Sequence, residues 1–178
     1  MSQIKVDSIV PRGGVGSADG GGIVQCVTTT LTSAFSWTTK NSWVDMTGIS
    51  ASITPKSSSN KILIQVMLST GDGGNNYERA YRVLRGSTNI VEGPSFSNQM
   101  VRASFATGMG AYASNASICT IPYIYLDSPN TTSATTYKLQ GWASNNSSTT
   151  SWINRPYVPA ASASAGGIST MILMEISG

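Results

Sequence analysis

Lys61-Ile62-Leu63-Ile64-Gln65-Val66-Met67-Leu68-Ser69-Thr70 is the densest apolar run in the chain. Ile62, Ile64, Val66 and Leu68 alternate, as a strand with one buried face requires. Leu63 and Met67 are apolar as well, with only Gln65 polar between them, which predicts that the opposite face is also shielded from water. Turn-forming residues bound the run, PKSSSN at 55–60 and GDGGNN at 71–76, so it has the length of a strand and not of a helix.

Composition extends this reading to the whole chain. Its 178 residues include 28 Ser, 19 Thr and 18 Gly, and only 11% are charged. That length suits one domain with a short appendage, and residues of these types disfavour helices. No stretch of ten residues carries the i, i+3, i+4, i+7 apolar spacing of an amphipathic helix. An all-β protein is expected.

Strand signals recur at short spacing. They fall at 23–30 (IVQCVTTT), at 42–46 and 49–54 on either side of Thr47-Gly48, and at 80–85, with 89–92 pairing back as a hairpin. In 118–126 (ICTIPYIYL), Pro122 predicts an edge strand or a bulge. In 135–143 (TTYKLQGWA), Tyr137 and Leu139 alternate with Lys138, Gln140 and Trp142. The closing run 168–176 (ISTMILMEI) sets Ile168, Ile172, Met174 and Ile176 on one face and Met171 and Leu173 on the other. Roughly eight to ten strands without a crossover helix predict an antiparallel jelly-roll sandwich, TNF/C1q-like, over residues 23–178.

Two strands apolar on both faces do not fit a monomeric sandwich, whose sheets keep polar outer faces. A homo-oligomer resolves this, most simply a trimer, with Leu63, Gln65, Met67, Met171 and Leu173 at the subunit interface. Upstream, Ile4, Val6, Ile9 and Val10 make residues 1–12 an adhesive arm, tethered by the glycine-rich linker 13–22. A phosphate-cradling loop is the sharper reading of these glycines, but the Lys-Ser/Thr ending is missing.

Several function classes are disfavoured by what the sequence lacks. The net charge of +3 provides no strong basic patch for nucleic acid. No basic-then-apolar leader opens the sequence and no apolar stretch reaches the length of a membrane span, so assembly in a cytoplasm without membrane insertion is expected. There is no histidine, and Asp45, Asp72, Glu78, Glu92, Asp127 and Glu175 form no local pair. No catalysis, metal or cofactor is therefore expected, although a glycosidase dyad assembled in space stays open as a weaker alternative. Cys26 and Cys119 read as buried free thiols.

Loops offer the recognition chemistry. Asn75, Asn76 and Tyr77 in one, Phe96 in a second, and Asn145, Asn146, Trp152 and Arg155 in a third combine aromatic platforms with directional hydrogen-bonding groups, the mixture that recognises a host surface glycan or protein. The competing reading is that Asn serves the turns and that Trp152 and Ile153 begin another packed strand.

The succession MSQIKVDSIVP, glycine linker, GGIVQ, SWVDMTGISASITPKSSSNKILIQV, YRVLRGSTNI, TTYKLQGWA and GISTMILMEISG resembles small tail-fibre proteins of tailed phages, particularly marine and cyanobacterial ones. The most specific pieces are the Trp-turn-SITP-KIL run and the closing STMILMEI. The resemblance implies a homotrimeric fibre or knob on the virion. Its N-terminal arm docks on the tail or baseplate, and its jelly-roll domain faces the host surface. A capsid decoration or head-fibre protein is the alternative. Long tail fibres carry a coiled-coil or repeat shaft that this chain lacks.

Overall fold

The computed structural model describes residues 22–71, 79–94, 101–107, 118–144, 150–157 and 165–178. The arm at 1–12 and nearly all of the linker lie outside them. Among the described residues there are eleven strands and no helix: β1 (Ile23–Leu31), β2 (Phe35–Trp37), β3 (Val44–Ile53), β4 (Lys61–Gly71), β5 (Arg79–Arg85), β6 (Thr88–Asn89), β7 (Phe105–Thr107), β8 (Ile118–Asp127), β9 (Thr135–Ala143), β10 (Ser151–Ile153) and β11 (Ser169–Ile176).

All pairings are antiparallel, in two sheets. The first runs β8-β4-β11-β1, with β10 and then β2 added at the far end of β4. The second runs β3-β9-β5, with β6 and β7 sharing the outer edge of β5. The core lies between the sheets. Ile62, Ile64, Val66 and Leu68 of β4 face Met46, Ile49, Ile53, Val83 and Leu139 of the second sheet in one buried cluster.

The β4 run therefore behaves as its alternation requires, with Leu63 and Gln65 half-buried and Met67 49% exposed on the outside. The closing strand requires a correction. Met171 and Leu173 are fully buried in the core of the single chain, so they are not available at a subunit interface. Register explains this: Met171 pairs with Val66 and Leu173 with Ile64, both inward-facing, which turns Ile172, Met174 and Ile176 outward beside Gln65, Leu63 and Lys61.

The two runs expected at 42–46 and 49–54 form one strand, Val44–Ile53, and not two. Gly48 takes φ 94°, the register shifts between Asp45 and Ser50, and the strand continues past this bulge. A Cβ at Gly48 would lie 2.8 Å from Leu31 Cδ1, so both the backbone and the packing require glycine there. The hairpin after β5 forms over Thr88–Asn89. β8 runs unbroken through Pro122, and among the described residues it pairs only with β4, which is the edge position proline favours. Cys26 and Cys119 are free thiols, but Cys26 is exposed and Cys119 only half-buried, because Cys26 pairs with outward-facing Met174.

Three buried polar hubs fix the sandwich. Asp127 accepts the Tyr137 hydroxyl at 2.6 Å and Arg85 Nη1 at 2.9 and 3.0 Å, joining the sheets at one end. Burial, reinforced by the hydrogen bond to Asp127, pushes the Tyr137 phenol well above its ordinary range. Glu175, fully buried, accepts Asn60 Nδ2 and the Lys56 backbone N–H at 2.6 Å and Gln25 Nε2 at 2.5 Å, tying the 54–60 turn to β1 and β11. Asn154, at φ 65°, donates to the carbonyls of Leu31 and Ser33 and accepts Ser169 Oγ.

Candidate functional site: the outer faces of the two sheets

With the core accounted for, chemistry available to a partner lies on the outer faces and at the ends of the sandwich. The outer face of the first sheet is apolar across four strands. Ile124 and Leu126 of β8 are 63% and 45% exposed, Met67 and Leu63 of β4 lie beside them, and Ile172 and Met174 of β11 follow. Val24 and Cys26 continue the surface on β1. A shallow hollow of about 120 Å³ opens between Met67, Pro122, Ile124 and Ile172. Isolated exposed apolar residues are ordinary, but a contiguous sheet face of them marks an interaction surface.

At one end of the sandwich the structure brings Trp152 and Arg155 together. The Arg155 guanidinium lies 4.1 Å from the centre of the Trp152 ring, and its Nε donates to the Pro156 carbonyl at 3.2 Å. Gly71 lets the backbone at Arg155 and Pro156 pass close to β4, since a Cβ there would sit 2.1 Å from the Arg155 carbonyl oxygen. Trp152 pairs with Gly71 and with Ser36 inside β10 and is half-buried, while Ile153 is fully buried. Asn75, Asn76, Tyr77, Phe96, Asn145 and Asn146 lie outside the described residues, as do Ile4, Val6, Ile9 and Val10. The residues flanking two of those loops pair directly: Gly71 with Trp152, and Arg79 with Ala143.

The outer face of the second sheet has the opposite character. Cross-strand register aligns Asp45 of β3, Gln140 of β9 and Arg82 of β5 in one row. Gln140 Nε2 donates to Asp45 Oδ1 at 2.6 Å, Arg82 Nε donates to Gln140 Oε1 at 2.7 Å, and Lys138 Nζ reaches Asp45 Oδ2 at 2.8 Å. The Arg82 guanidinium also lies 4.3 Å from the centre of the Trp43 ring. Hydrogen bonds from Lys138 and then Gln140 hold the Asp45 carboxyl below its ordinary value. Burial draws Arg82 below its ordinary value. The alternation of Lys138, Gln140 and Trp142 was visible in the sequence. Their assembly with Trp43, Asp45 and Arg82 was not, because it depends on pairing between distant strands.

The described carboxylates are each engaged separately: Asp45 with Lys138, Asp127 with Arg85, Glu92 with Arg102 at 2.9 Å, and Glu175 with Asn60. Among the described residues no three His, Cys, Asp or Glu side chains gather into a metal site, and no helix is long and apolar enough to cross a membrane. No protein-family model matches the chain, and comparison with curated proteins finds no match.

Proposed function

We propose that the protein is a non-enzymatic structural and adhesion protein of a phage particle: a homotrimeric tail fibre whose arm at 1–12 docks on the tail or baseplate and whose β-domain meets the host surface. The observation that carries the oligomeric part is the apolar outer face of the first sheet, built from Leu63, Met67, Ile124, Leu126, Ile172 and Met174. A stable interface needs about 800 Å² from each partner, and buried apolar area contributes about 25 cal/mol per Å². The exposed apolar side chains of this face would contribute to that need. The interface belongs to the outward residues of β11 together with Leu63, Gln65 and Met67.

The strand order supports a TNF/C1q-like jelly roll, since β8-β4-β11-β1 lies against β3-β9-β5-β6 and the chain crosses between the sheets from β2 through β5 and again from β7 through β10. The virion assignment rests on the resemblance of the sequence to small phage tail fibres.

Two measurements test the proposal. Mass photometry at micromolar concentration is expected to report three chains per particle, and a stable monomer overturns the oligomer. Electron microscopy of virions labelled at the N-terminal arm is expected to place the label at the tail. A label on the capsid shell would make the protein a decoration protein instead.

A further inference from the structure

We infer that the outer face of the second sheet is a polysaccharide-binding platform, formed by Trp43 and Trp142 with Arg82, Gln140, Asp45 and Lys138. The adhesion proposal supplies only the source of the ligand, a cell-surface polysaccharide; the site itself rests on the geometry.

The two sheets differ where a sandwich is free to differ. If the first sheet's apolar face is covered by sister subunits, the second sheet's face is the broad surface left to solvent. Two large aromatic side chains on such a face serve no core. Asp45 pairs with Gln140 and Val44 with Gly141, so the same register carried one residue further sets Trp43 beside Trp142. The other neighbour of Trp142 is Ala80, a small residue on the same face that is 6% exposed.

The polar groups around these rings are already held in place. Arg82 stacks on Trp43 and donates to Gln140, Gln140 donates to Asp45, and Lys138 closes the row. Binding therefore immobilises few additional side chains, which lowers its entropic cost. Flat aromatic rings receive the C–H faces of pyranose rings, while amide, carboxylate, guanidinium and ammonium groups beside them exchange hydrogen bonds with ring hydroxyls. Two cations against one carboxylate leave the row with one net positive charge, which admits uronic acids as well as neutral hexoses. An open sheet face binds each short stretch of sugar weakly. Three copies on one particle raise the overall affinity by roughly 10² to 10⁴-fold when one chain engages more than one of them.

The test is affinity electrophoresis of the full-length protein through native gels containing a soluble neutral β-glucan or alginate, with a plain gel as reference. At least one polysaccharide is expected to retard the wild type. Trp142→Ala is expected to weaken retardation at least tenfold and Trp142→Phe to keep most of it. Thermal melts accompany each variant. If Trp142→Ala does not fold, the double variant Lys138→Ala/Gln140→Ala takes its place, with the same expected loss. Two results overturn the inference: no retardation of the wild type by either polysaccharide, or retardation that the second-sheet variants leave unchanged. A separate sedimentation assay with intact host cells decides adhesion independently. Cell binding that survives Trp142→Ala leaves the adhesion proposal standing while the platform falls.

Discussion

The strands β9 and β11 occupy equivalent central places in their sheets and turn similar residues inward: Tyr137 and Leu139 from one, Met171 and Leu173 from the other, all fully buried. Outward they part company. β11 shows Ile172, Met174 and Ile176, whereas β9 shows Thr136, Lys138, Gln140 and Trp142. Inward, both strands serve the same core. The outer patterns diverge: one face is mostly apolar, and the other carries hydrogen-bonding side chains beside a tryptophan.

The strongest test of that contrast compares the two sides of one strand pair. Leu173→Ala is expected to cost about 2–5 kcal/mol of folding stability, read by denaturant titration, because it empties a site with no exposure. Met67→Glu, on the other side of the same sheet, is expected to abolish assembly in mass photometry while changing the monomer's stability by only about 0.5 kcal/mol. If assembly and fold are lost together, the two sides are not separate.

The 61–70 run and the closing 168–176 run were legible because period-2 alternation survives in both. What alternation cannot supply is polarity. Met171-Leu173 and Ile172-Met174 are equally apolar, and only the pairing of Met171 with Val66 decides which set is inside. The bulge at Gly48 was hidden for a related reason. A glycine between two apolar stretches reads as a turn unless its neighbours on β9 are known. Trp152 illustrates what composition leaves out: it marked the residue for recognition without showing its place in β10 or the stacked arginine beside it. The row from Lys138 to Trp43 joins residues up to 95 positions apart, and no local pattern announces it.

Acid sharpens the comparison from within the first sheet. Burial raises the Glu175 carboxyl, but hydrogen bonds from Asn60, Gln25 and the Lys56 and Ser57 backbone outweigh it, so its value lies below the ordinary 4.5. A lowered folded value means that the stabilisation is fully present above the unfolded value and is lost as pH falls through the folded one. Wild-type stability, followed by thermal melts between pH 7 and pH 3, is expected to decline below about pH 4.5, and Glu175→Gln is expected to flatten part of that decline. An equally steep decline in the variant would move the acid sensitivity to other carboxylates.

Tyr137→Phe comes next in size. It removes one hydrogen bond to Asp127 while Arg85 remains, with an expected cost of about 0.5–1.5 kcal/mol. Asp45→Asn on the solvent-facing row is the mildest, about 0.2–1 kcal/mol and shrinking with added salt, since the Lys138 pair is exposed. A larger and salt-independent loss would mean that the second sheet's outer face is covered in the assembled protein.

Pro122 has a consequence for solubility before assembly. Among the described residues β8 presents ten residues along an edge, Ile124 and Leu126 among them, which is the profile of a template onto which another chain can add strand by strand into a fibril. A proline in the middle of that edge interrupts such a ladder, because its nitrogen has no hydrogen to donate. Edge-to-edge growth, which has no natural end, is thereby disfavoured whatever the chain goes on to bind.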